Sequence, residues 1–149
     1  MSAIKKAIIG VIILIFLTSV IIFFYPLPFE RNIQNDYDLN VVYIRVSLVN
    51  GEPQQNSTSY HYESGSKEIG RIKQILRKYS YHRGIRSWSK NNTMEGNDVG
   101  YWIQLYSGEN NIIMGGTGEI IVNNHIYHIG YWGNSKAQTL MEELREVLE

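Results

Sequence analysis

Histidines and carboxylates are the side chains best suited to hold a metal or move a proton, and this chain has four histidines. His125 and His128 stand three apart. On a strand that spacing sends the two rings to opposite faces, which is poor for chelation. His61 and Glu63 share a face, but they would need a third ligand from elsewhere in the fold. The chain has no cysteine, so the usual donors of a structural zinc site are missing. These residues therefore read as solvent-facing strand positions, and no metal or cofactor is expected.

Nucleophilic chemistry finds no better support. There is no G-x-S-x-G turn. Ser87, Ser89 and Ser107 have no neighbouring signature of an activated hydroxyl. Gly115-Gly116-Thr117-Gly118 lacks the Gly-Lys-Ser/Thr of a phosphate loop and leads into a strand, so it reads as a β-turn. No catalytic residue is expected, and the chain reads as a non-enzyme.

Charge is the stronger signal. The formal net charge is zero, but it is unevenly placed. From Lys67 to Lys90 there are eight basic residues and one acid, Glu68; from Glu95 onward there are eight acids and two bases. Lys67, Arg71 and Lys78 fall near one another on the outer face of a helix, with Lys73 and Arg77 as a second row. Arg83, Arg86, Trp88 and Lys90 extend the charge into a loop. This surface is the candidate binding site, for an anionic envelope polymer such as teichoic acid or for lipid headgroups, at about 1 kcal/mol per basic residue near an anionic membrane. The same charges also serve as the solvated side that any surface helix needs. A second candidate is the aromatic set Tyr101, Trp102, Tyr106, Tyr127, Tyr131 and Trp132, which is either a docking platform or the core and rim of a small sheet.

The elements that carry these residues follow from periodicity. Residues 39–49 alternate, with Val42, Ile44, Val46 and Leu48 on one face and Tyr43, Arg45 and Ser47 on the other, as in a half-buried strand. Asn50-Gly51-Glu52-Pro53 is a turn, and residues 58–63 pair back as a hairpin. Ser66 caps a helix reaching about Tyr79, with Ile69, Ile72, Leu76 and Tyr79 on its apolar stripe. Residues 82–99 read as a polar loop. Residues 100–106 and 111–114 are strands joined by a turn. Residues 119–122 and 126–130 flank Asn123-Asn124-His125, a good hairpin connection because Asn tolerates positive φ. Ser135 and Gln138 make a capping box for a last helix with Ala137, Leu140, Met141, Leu144 and Leu148 inward. The order ββα, β-meander, α implies an α+β two-layer domain with a mainly antiparallel sheet and two helices.

Ahead of that domain lies the longest apolar run. Residues 7–25 contain nineteen positions without a charge. That length crosses the ~30 Å hydrocarbon core of a bilayer as one helix. The run is longer than the apolar region of a signal peptide, and Tyr25-Pro26-Leu27-Pro28-Phe29 offers no small-x-small cleavage site, so an uncleaved anchor is expected. Lys5 and Lys6 precede it, which keeps the N-terminus in the cytoplasm and places the rest outside. The expected organisation is a cytoplasmic segment 1–6, a transmembrane helix 7–25, a polar stalk 26–37 and an extracytoplasmic domain 38–149. The lack of cysteine favours a bacterial cell-surface protein over a disulfide-stapled secreted domain.

The strand VVYIRVSLVNG, the helix KEIGRIKQILRKYSY, the block YWIQLYSGENNIIM, the hairpin EIIVNNHIYHIG and the closing amphipathic helix occur in a distinctive order. In this the chain resembles a family of small membrane- or lipid-anchored extracytoplasmic proteins of Gram-positive bacteria, built on a domain of unknown function. The resemblance implies fold and location and carries no catalytic residues. The expected function is a single-pass, membrane-tethered binding or interaction module at the cell membrane, with an anionic envelope polymer or a protein as partner and no nucleic acid. The alternative is an accessory subunit or immunity-type protein acting through another membrane protein. Gly10 has Leu14 rather than a small residue four positions on, which gives helix pairing little support.

Overall fold

In the computed structural model, which describes residues 3–34, 36–84, 100–131 and 133–149, the alternating run forms β1 (Leu39–Val49). Asn50 and Gly51 both have positive φ, 57° and 85°. Such a pair matches the right-handed twist of its flanking strands. Pairing therefore resumes at once as Val49↔Glu52, and β2 (Glu52–Tyr62) is longer than the hairpin arm expected at 58–63. Pro53 is tolerated because β2 is an edge strand.

Among the described residues the remaining strands are β3 (Tyr81–Arg83), β4 (Gly100–Ser107), β5 (Asn110–Gly115), β6 (Glu119–Val122) and β7 (His125–Ile129). They form a seven-stranded antiparallel sheet in the order β2-β1-β4-β5-β6-β7-β3. The β6–β7 turn is the two residues Asn123 and Asn124, at φ 49° and 68°. His125 therefore belongs to the strand. His82 and Arg83 of β3 lie within the stretch that reads as a loop from residue 82. Three residues are too few to show a period, yet they complete the sheet along the outer side of β7.

Two helices, α2 (Lys67–Arg77) and α3 (Ser135–Leu148), cover one face. That face carries Leu39 and Val41 with their partners Ser107 and Leu105, then Ile103, Ile112, Met114 and Ile120. The core therefore uses the opposite side of β1 from the Val42-Ile44-Val46-Leu48 face read as a stripe. Those four residues are half-buried or exposed on the side away from the helices. Ile121 and Ile126, cross-strand partners on that second side, are nonetheless buried.

Both helix starts differ from expectation. Ser66 occupies the α2 N-cap with extended backbone, but its hydroxyl makes no capping bond. For α3 the N-cap is Asn134, and the Gln138 N–H donates to the Asn134 carbonyl at 3.0 Å. Ser135 is thus inside the first turn, and the Ser135–Gln138 capping box does not form.

The apolar run is α1 (Ala3–Phe24), the one helix among the described residues long and apolar enough to cross a membrane, with no residue buried. The segment after it is not a polar stalk. Phe29–Asn32 form a 3₁₀ turn, and Phe29 and Ile33 are 3% and 1% exposed. The Phe29 ring lies 4.5 Å from that of Tyr81 and edge-on to that of Tyr127 at 4.9 Å. Burying an aromatic ring stabilises by about 2–3 kcal/mol, which outweighs leaving so short a segment free. The folded domain thus begins only a few residues after α1 ends.

Candidate functional site

α2 is held by Ile69, Ile72, Ile75 and Leu76, all buried, which leaves its basic residues on the outside. Lys67, Arg71 and Lys78 are exposed. Arg71 and Lys78 come together in a groove of about 380 Å³ between α2 and α3. The opposite wall carries Glu143 and Glu146, so the groove holds charges of both signs. Lys78 Nζ lies 2.7 Å from Glu143 Oε2, and the Tyr79 hydroxyl donates to Glu143 Oε1 at 3.1 Å. The hydrogen bond from Lys78 holds the Glu143 carboxyl below its ordinary range. Burial, with the Glu143 bond second, pushes the Tyr79 hydroxyl up to about 12. Arg77 Nε faces Glu30 Oε1 at 3.6 Å.

Arg83 sits apart from the groove, on β3 opposite Tyr127. Arg86, Trp88 and Lys90 lie outside the described residues. The expected surface is therefore represented by Lys67 and Arg71, with Lys78 and Arg77 each facing a carboxylate and Arg83 on another element. The aromatic set also divides. Tyr127 packs against the core ring of Phe29 and Tyr101 lies tilted against Tyr43 at 6.1 Å, whereas Trp102 and Tyr106 occupy the other side of the sheet. Trp132 lies outside the described residues.

A second constellation, at the β3–β7 side, is absent from the sequence reading. Leu27 N–H donates to the Tyr81 carbonyl at 2.8 Å, fastening the chain just after α1 to β3. His82 and His128 are directly opposite across the β3–β7 ladder, with ring centroids 5.6 Å apart. Tyr131 stacks on His82 at 4.8 Å, and Phe24 lies parallel to it at 6.4 Å. The Tyr131 hydroxyl donates to the Phe24 carbonyl at 2.9 Å. Burial, then the like charge of His128, lowers the affinity of His82 for a proton.

A Cβ at Gly84 would run into His128 Nε2, so a side chain there would have to displace the His128 ring. The signal was faint: it lay in the pairing of two strands, one of them three residues long, and not in a spacing along the chain. A cleft of about 330 Å³ opens beside these rings, lined by His82, His128, Tyr131, Thr117 and Asn134 among others. Among the described residues, no three His, Asp or Glu side chains gather closely enough to hold a metal ion.

The chain matches no family model, no curated protein and no solved structure.

Proposed function

We propose that this protein is a single-pass, membrane-tethered interaction module, with its N-terminus in the cytoplasm and its α+β domain outside the cell membrane. One observation carries the reading: α1 buries no residue along its length, yet its last residue is bonded to Tyr131 and the chain just past it, at Leu27, to β3. A helix apolar on every side belongs in lipid. A helix bonded into the domain holds that domain against the leaflet in which it ends. The two lysines before α1 support the orientation.

The module acts by binding and not by catalysis, on an anionic envelope polymer or a partner protein. Lys67 and Arg71, exposed on α2, are the contact groups we assign to it. Crosslinking in the native membrane, followed by identification of the attached species, tests this. A reproducible wall polymer or protein adduct through α2 supports the reading. Adducts that never involve the domain contradict it.

A further inference from the structure

The cleft beside His82 and His128 has the properties of a ligand site. It is lined by donors: the imidazoles of His82 and His128, the Thr117 hydroxyl and the Asn134 amide. Two polar atoms of its lining residues, His82 Nδ1 and Thr117 Oγ1, are buried without a hydrogen-bond partner among the described residues. Leaving a buried polar atom unpaired costs about 1–3 kcal/mol, and a bound group that satisfies both atoms recovers that cost. The Asn134 side chain is not spent on capping α3. Among the described residues, no carboxylate lines the cleft. Glu119 is the nearest acid by register, opposite His128 on β6; it has an interaction of its own, while its Oε2 is buried beside the cleft's histidine strand. The Lys136 stem lies against Gly130, a cleft residue, where an added Cβ would be 3.1 Å from Lys136 Cγ.

Position names the source of the ligand. Two residues of the cleft, His82 and Tyr131, touch Phe24, the last residue of α1. Tyr25 follows, exposed, as an interfacial aromatic would be. We propose that this cleft binds the phosphate of a lipid headgroup from the leaflet in which α1 ends. The proposal rests on the reading of α1 as a membrane span.

The test uses the full chain in dodecyl maltoside micelles, which contain no phosphate. The side-chain resonances of His82 and His128 are followed while dihexanoyl-phosphatidylglycerol or inorganic phosphate is added. Saturable shifts with the lipid are expected, and Thr117→Val weakens them about tenfold, the effect of one lost hydrogen bond to a charged group. Asn134→Ala, on an exposed residue that gives α3 no cap, serves as a second variant should Thr117→Val perturb the fold. Shifts with inorganic phosphate alone would overturn the lipid as source. The absence of shifts with either probe, or equal shifts in both variants, would overturn the site. Alkaline extraction of native membranes separates the two claims. A chain that is released overturns the span reading and with it the lipid source, whereas a chain that stays but shows no shifts overturns the cleft alone.

Discussion

The Tyr131 hydroxyl donates to the Phe24 carbonyl at 2.9 Å, joining a residue two past the end of β7 to the last residue of α1 across 107 positions of sequence. Phe24 lies in the final turn, where the carbonyls of a helix have no partner within it. The bond therefore satisfies an orphan acceptor and fixes the angle at which the domain leaves the helix. Tyr131→Phe keeps the ring on His82 and removes only this bond, at a cost of about 0.5–1.5 kcal/mol. Tyr131→Ala also removes the ring contacts. Hydrogen exchange at the Leu27 amide, which donates to the Tyr81 carbonyl, reads the junction directly. Exchange is expected to be modestly faster in Tyr131→Phe and much faster in Tyr131→Ala.

Phe29 tests where the domain begins. It is 3% exposed and packed between Tyr81 and Tyr127. Phe29→Ala is expected to destabilise by about 3–5 kcal/mol, as for other buried aromatic truncations. A residue in a free stalk would cost nothing measurable. Denaturant unfolding of the detergent-solubilised chain distinguishes the two.

How much of this was legible in the residues follows from period and from range. β1, β4 and the stripes of α2 and α3 are readable because they alternate, or repeat every third and fourth position, over long enough runs, and β5, β6 and β7 because turn residues bracket them. The side of β1 that enters the core is not readable from Val42 to Leu48. Both faces of that strand carry apolar residues, and the choice depends on Leu105 and Ile103 in β4. Phe29 and Ile33 sit in a segment rich in polar residues, FERNIQN, and only the rings of Tyr81 and Tyr127 make them core. The basic residues of α2 are evident along the chain, but Glu143 and Glu30, which face two of them, arrive from distant elements. The His82–His128 pair depends wholly on β3 joining β7.

Acidity should loosen the junction. His82 has a depressed proton affinity in the folded chain, from burial and from His128 opposite it. The unfolded chain then binds more protons in the window just below the ordinary histidine value of 6.5, so stability rises with pH through that window and is lost as pH falls. The other groups around it are Tyr131 and Phe24 on either side, Arg83 next in β3, and Glu119 beyond His128. Thermal unfolding between neutral and mildly acidic pH should show a falling midpoint in the wild type. His82→Gln should flatten that part of the profile. Parallel profiles would assign the acid sensitivity to another group.

Glu143 limits the charge that α2 can offer. Glu143→Gln releases Lys78 from its 2.7 Å contact and should change stability by no more than about 1 kcal/mol, because Lys78 is largely exposed. Affinity for teichoic acid at low salt should rise in this variant and fall in Lys67→Ala/Arg71→Ala. Unchanged binding in both would remove α2 as the docking face.

The tether and its direction are tested most directly by thiol labelling, since the chain has no cysteine of its own. Ala3→Cys lies at the start of α1, and Gln54→Cys is exposed on β2. In intact cells a membrane-impermeant maleimide should label Gln54→Cys at once and reach Ala3→Cys only after the membrane is opened. Labelling of Ala3→Cys in intact cells, with Gln54→Cys protected, would contradict the proposed orientation, and recovery of either variant in the soluble fraction would contradict the tether itself.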